Sequence, residues 1–261
     1  MKKQKGFAWK TVILSLSVLL MLSFSASGET VRVAYFITSP HVIIEDGNEK
    51  PGGACVELFE KIIAPEMGVT VQWEPAASSI PRQLDQLEKG QVDIGLVFAK
   101  NEERMKILSY PKNPYFVSHP TLAFLNTHPV QKITKVEDIL GMTIGYGTKA
   151  YISPFMRDAR IRFDLVTSPN WMDLNLKKLL SGRNDAMYQP ERSSFLYYIR
   201  KQKLEAQIKL ISLPETAELY TTFSKKAGPD LVERYDRAFE KVGGTARYIQ
   251  ILSKYLDTDR L

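Results

Sequence analysis

Two seven-residue segments, 92 positions apart, read alike: Leu87-Glu88-Lys89-Gly90-Gln91-Val92-Asp93 and Leu179-Leu180-Ser181-Gly182-Arg183-Asn184-Asp185. In each, an apolar helical face ends at a glycine, two residues follow, and an aspartate precedes an apolar strand. The glycine supplies the left-handed conformation that closes a helix. The aspartate can bond backbone amides in the turn. A separation of this length is far beyond a solenoid repeat. It suits two similar lobes of about 100 residues each.

The rest of the chain supports that division. Val31 to Phe36 is a β-branched apolar run, and Cys55, Leu58, Phe59, Ile62 and Ile63 fall on one helical face. Val69, Val71 and Trp73 alternate as in a strand; Ile80, Leu84 and Leu87 line a second helix, and Val92 to Phe98 is the next strand. The second half repeats the scheme. Thr134 and Glu137 have capping-box spacing, strands follow at Met142 to Tyr146 and Ile161 to Val166, and Met172, Leu176, Leu179 and Leu180 share a helical face. Ile208 to Leu213 is strand-like, and Asp230 to Val242 is a terminal helix. Such alternation predicts an α/β fold with mainly parallel sheets flanked by helices.

The N-terminus is read separately. Lys2, Lys3, Lys5 and Lys10 precede an apolar run from Val12 to Phe24, and Ala26-Ser27-Gly28 offers small residues for cleavage. Residues 1–28 are expected to be a signal peptide, the run being short for a bilayer span. This changes the charge argument. The chain carries 35 basic and 29 acidic residues, but four lysines lie in the signal, leaving 31 against 29. With no basic stripe interleaved with aromatics, nucleic acid is not an expected partner. Cys55 is the single cysteine, which excludes an intramolecular disulfide and metal sites built on cysteine pairs. The three histidines have no metal-ligand spacing. No metal or cofactor is expected, and a monomer is the default.

In open α/β sheets ligands sit beyond the carboxyl ends of the strands. The segments following Phe36, Phe98, Gly147 and Tyr188 are therefore the candidates, meeting across a cleft. Tyr35, Phe36, His41, Phe98, Tyr110 and Tyr188 are the aromatic residues near it, and His41, Tyr188 and Gln189 are the preferred pocket residues. Cys55 with a histidine could form a nucleophile–base pair, but its place on the apolar face of a helix favours a buried structural thiol.

The chain resembles the bacterial extracellular solute-binding proteins of family 3, the periplasmic amino-acid-binding type with the type 2 periplasmic-binding fold. The resemblance rests on Gly90-Gln91-Val92-Asp93, on Glu102 to Tyr110 with Tyr115, on Val136 to Gly141 with Ile144 to Thr148, on Gly182 to Asp185, and on Phe223 to Lys226. It implies lobe 1 from 29–116 plus 217–261, lobe 2 from 117–216, and a hinge at the two crossings. It also implies a periplasmic, non-enzymatic protein that binds a small carboxylate or amino acid for an ABC-type permease. The alternatives are a solute sensor presenting its closed form to a membrane signalling partner, and a dehydratase-like enzyme on the same fold.

By the same resemblance Arg104 pairs with the solute carboxylate, a task that suits its planar, permanently charged fork. Gly147 and Thr148 match a loop whose backbone amides meet the carboxylate at a helix start, and Lys149 adds positive charge there. Two departures stand out. Phe98-Ala99-Lys100-Asn101 replaces small hydroxyl residues. The position of the aspartate that holds the solute amine is Pro190, with Glu191 next, as a substitute acceptor or a helix cap.

Overall fold

The two echoed segments build the same joint twice. Gly90 and Gly182 both take φ 69°. The Asp93 amide donates to the Arg32 carbonyl (2.9 Å), and its carboxylate accepts the Arg32 amide (2.8 Å). The Asp185 amide donates to the Thr143 carbonyl (3.0 Å), and its carboxylate accepts the Thr143 amide (2.7 Å). Each aspartate thus ties the start of one strand to its parallel neighbour. In the first joint the Arg32 guanidinium also donates to both carboxylate oxygens and to the Gly90 carbonyl.

The computed structural model describes residues 29–45, 50–257 and 259. The expected signal segment, 1–28, lies outside them. Lobe 1 contains β1 (Glu29–Ala34), a helix in three pieces (Ala54–Leu58, a π turn Phe59–Ile63, and Ala64–Met67, together α1), β2 (Val69–Trp73), α2 (Ile80–Lys89), β3 (Ile94–Ala99), α3 (Glu102–Ile107), β4 (Leu108–Ser109) and β5 (Phe116–Ser118). Lobe 2 contains β6 (Thr121–Leu125), β7 (Thr143–Gly147), β8 (Arg162–Val166), α4 (Trp171–Leu180), β9 (Ala186–Gln189), α5 (Arg192–Lys201) and β10 (Ile208–Ser212). The chain then returns to lobe 1 through β11 (Ala217–Ser224), α6 (Pro229–Lys241) and α7 (Gly244–Leu252).

The sheets are built to one plan. In lobe 1 the order is β2-β1-β3-β11-β4, and in lobe 2 it is β8-β7-β9-β6-β10. The first three strands of each are parallel, and the fourth is antiparallel. That fourth strand, β11 or β6, is the one lying next to a crossing between the lobes. The sheets are therefore mixed, with the predicted parallel part forming three neighbouring strands of each. The two crossings run side by side, because β5 pairs with the start of β11: Ser118 lies opposite Ala217 and Phe116 opposite Leu219.

Helical amphipathicity buries the apolar face of the longer helices. α6 buries Leu231, Tyr235, Ala238 and Phe239, with Tyr235 stacked on Phe239 and edge-on to Phe223. The expected cap at Glu137 is a correction. The Asp138 carboxylate, not Glu137, accepts the amides of Thr134 and Lys135, and the turn it caps is a short 3-10 helix. The aspartate, one residue later, reaches both free amides.

Candidate functional site

The lobe 1 wall of the cleft is the carboxyl end of β3. Opposite β11 the pairing shifts register: Phe98 faces Tyr220 and Gly95 faces Thr222, leaving one extra residue on β3. Val97 lies in this bulge with φ 64°, a strained conformation for a β-branched residue. Bulges re-aim the strand that carries them, and here Val97, Phe98 and Ala99 line the interlobe cavity. Phe36, two residues past β1, meets Phe98 edge-to-face with centroids 5.8 Å apart.

Asn101 then caps α3, its side-chain oxygen accepting the Arg104 amide (2.8 Å). This fixes Arg104 on the helix face toward the cleft, 5% exposed, its guanidinium 5.2 Å from the Phe98 ring centre. The guanidinium donates to the Ala99 carbonyl (2.9 Å) and, across the cleft, to the Lys149 carbonyl (3.0 Å). Burial pulls the Arg104 pKa down from its ordinary value, with neighbouring tyrosines and Glu103 opposing. A guanidinium has five N–H donors, and no carboxylate among the described residues bonds this one.

Lobe 2 supplies the other wall. Tyr146 at the end of β7 packs edge-on to Trp171, the first residue of α4 (5.4 Å, 86°). Trp171 lies flat on Gly147: a Cβ there would fall 2.9 Å from the indole ring. Lys149 takes φ 55°, which turns its carbonyl, not its side chain, toward Arg104. The carboxyl end of β9 contributes Gln189, Pro190 and Glu191. The cavity, partly open to solvent, is about 30 Å³, room for about two waters. The lobes close on their own side chains, so a solute can enter only when they part.

Glu191 is the N-cap of α5. Both its oxygens accept the Ser194 amide (3.2 and 3.1 Å), and one also accepts the Ser193 hydroxyl. That oxygen lies 3.4 Å from His41 Nε2, which in turn contacts Ser193 Oγ at 2.8 Å. The other nitrogen of His41 bonds the Tyr248 hydroxyl. Thr38 and Ser194 hydroxyls meet at 3.2 Å. His41, Thr38 and Tyr248 belong to lobe 1, and Glu191, Ser193 and Ser194 to lobe 2. The cluster is thus a buried polar seam between the lobes. Burial pushes the Glu191 pKa up, but His41 and the hydrogen bonds from His41, Ser193 and Ser194 outweigh it and leave the pKa below its ordinary value.

Of the residues nominated from sequence, Phe98, Ala99, Arg104, Gln189 and Glu191 line the cavity. Lys149 reaches it by its carbonyl and Gly147 by admitting Trp171. The others go elsewhere. His41 is in the seam, and Tyr188 is in the lobe 2 core, its hydroxyl accepting the Ser153 amide. Tyr35 packs edge-on to Trp73, away from the cleft. Lys100 is exposed and sits over the rings of Tyr110 and Tyr220. The helix start expected at Gly147 and Thr148 is a correction. The Thr148 amide donates to the Val166 carbonyl, continuing the β7–β8 pairing, and the next helical turn begins only at Pro154.

Sequence reasoning missed Trp171, Tyr146 and Tyr151, which also line the cavity. Trp171 immediately follows the β8–α4 loop, so the strand-end rule that nominated the other segments could have found it. Cys55 is buried in α1, where desolvation raises its thiol pKa to about 12. Among the described residues no group of three or more His, Cys, Asp or Glu could hold a metal ion, and no helix is long and apolar enough to cross a membrane.

No curated protein sequence matches the chain. Solved structures do. An ancestral arginine-binding protein bound to arginine is 24% identical, with a TM-score of 0.71, covering 88% of this chain and 100% of that one. A histidine kinase sensor domain with similarity to periplasmic binding proteins is 20% identical at TM-score 0.73, covering 88% and 97%. AbpA of Streptococcus pneumoniae, an amino acid ABC transporter substrate-binding protein bound to L-arginine, is 19% identical at TM-score 0.72, covering 87% and 94%. These likenesses show the two-lobed type 2 periplasmic-binding fold. With residues 31–258 matching the family as a whole, the chain belongs to the bacterial extracellular solute-binding proteins, family 3.

Proposed function

We propose that the protein is exported through residues 1–28 and captures a small carboxylate-bearing solute, an amino acid or a related organic acid, between its lobes. Arg104 carries the reading. It is a buried guanidinium at the cleft whose hydrogen bonds, among the described residues, go to two backbone carbonyls, one from each lobe. A carboxylate offers a bidentate, charge-assisted partner that carbonyls cannot match. Its arrival would exchange the Lys149 contact for a solute bridging both walls, and closure about the paired β5–β11 crossing would follow as a hinge motion.

The role is binding, not catalysis, and the closed form would be read by an ABC-type permease. A second reading is a sensor, supported by the histidine kinase sensor domain among the structural neighbours. Photo-crosslinking the protein in its native membranes, with the captured partner identified by mass spectrometry, separates permease from kinase.

Solute capture itself is tested by thermal shift against L-amino acids and organic acids. A ligand at 100 times its dissociation constant should stabilise by about 2.7 kcal/mol, which is roughly 5–10 °C for a chain of this size. The Arg104→Met variant should lose that shift. A shift of equal size in the variant would overturn the role given to Arg104.

A further inference from the structure

We infer that the cleft selects organic acids that carry no amine, holding the carboxylate on Arg104 and an apolar body against its aromatic wall. The inference rests on the carboxylate reading of Arg104 and sharpens it.

Among the described residues, Arg104 and Glu191 are the two groups of opposite charge that line the cavity. An amino acid would need both, one for each of its charges. Glu191 is already engaged. Its two oxygens together accept the Ser194 amide and the Ser193 hydroxyl, with His41 Nε2 3.4 Å away. Turning it toward a solute would uncap α5 and strip the interlobe seam. Glu215 and Glu218, whose charges act on Tyr151, do not line the cavity. One Glu215 oxygen accepts the Phe155 amide while the other is buried without a partner, and Glu218 accepts the Tyr220 hydroxyl.

The neutral acceptors are few. The Ala99 carbonyl already takes two donors, Arg104 and Tyr110, and Thr38 is paired with Ser194, which leaves the Gln189 side-chain oxygen as a neutral acceptor on the wall. An ammonium has three donors to place. Shut in beside Arg104 without a counter-charge, it would face the desolvation penalty of a buried ion, worth about 100-fold or more in affinity. The remaining wall is Phe36 edge-on to Phe98, and Trp171 edge-on to Tyr146. Those faces suit hydrocarbon or an aromatic ring.

The test uses matched pairs that differ only by the amine. 3-Phenylpropanoate against L-phenylalanine and 4-methylpentanoate against L-leucine are titrated by calorimetry into the full chain, expressed and processed by its host. The protein is first stripped of carried-over solute by unfolding in guanidinium and refolding, and a cooperative melt confirms the fold. The expected result is binding of at least one acid about 100-fold or more tighter than its amino-acid partner. Equal or tighter binding of the amino acid would overturn this inference while leaving Arg104 as the carboxylate site. Silence of both members of both pairs, and of the broader amino-acid and organic-acid panel, would overturn the carboxylate reading and this inference with it.

Discussion

Glu191→Ala should be among the most damaging single changes at the cleft, although it removes only a short acidic side chain. Three losses add. The N-cap of α5 disappears, which costs about 1 kcal/mol. Ser193 loses its acceptor and His41 its facing carboxylate inside a seam where His41 and Ser193 are 0% exposed. His41 and Ser193 still hold each other, so the loss is that of a hydrogen bond to a charged group, about 1.5–3 kcal/mol. The sum is roughly 3–4 kcal/mol. For a chain of this length it corresponds to a fall in Tm of about 10 °C.

Glu191→Gln separates the terms. It keeps an oxygen for the Ser194 amide but removes the charge, so its fall should be about half as large. The pH dependence follows from the lowered pKa of Glu191. With the folded pKa below the unfolded value of about 4.3, the unfolded state binds more protons between the two. The stabilisation is therefore full above the unfolded pKa and lost as pH falls through the folded one. Melts followed by circular dichroism from pH 7 to pH 3 should show wild type and Glu191→Gln converging at the acid end. Melting of Glu191→Ala within 1 °C of wild type at pH 7 would refute the seam as a source of stability. Parallel pH profiles for wild type and Glu191→Gln would refute the charge argument.

Three further outcomes are expected. Cys55, buried and with its thiol raised to about 12, should resist Ellman's reagent at pH 8 in the native protein and react fully in guanidinium; fast native labelling would contradict its burial. Gly145→Ala should destabilise by about 1–3 kcal/mol, since the new Cβ would fall 2.4 Å from Asn184 Nδ2 and 2.9 Å from Asn175 Oδ1; an unchanged denaturant midpoint would show that those amides move aside freely. Asp93→Ala and Asp185→Ala should each cost about 2 kcal/mol through loss of the strand-joining hydrogen bonds, and urea titrations of the two should show the larger loss for Asp93, which also holds Arg32.

The fold was legible wherever local chemistry decided it. Gly90 and Gly182 end their helices, and Asp93 and Asp185 take backbone amides, because those residue types have few alternatives in a turn. The antiparallel strands were harder to place. Thr121–Leu125 and Ala217–Ser224 owe their positions to crossings between lobes, which no local pattern announces. At the site, Arg104 followed from the order of motifs, and Phe98 and Gln189 from lying at strand ends. Val97 could not be foreseen, since its left-handed conformation comes from a bulge set by the register of β11. The meeting of His41 with Ser193 and Glu191 joins residues about 150 positions apart. Only the closed arrangement of the lobes brings them together, which is also why Glu191 could be read beforehand as either an acceptor for solute or a helix cap.

The position of β11 also governs how the chain can assemble. Its partner β3 is complete at Ala99, yet β11 starts only at Ala217, roughly 120 residues later. Because the chain is delivered N-terminus first, β3 waits with one edge unpaired until those residues follow it. All of lobe 2 emerges in that interval and can complete its own sheet first. The lobe that begins the chain is thus the last to finish, and the nascent protein stays incompletely folded until its final helices, α6 and α7, are made.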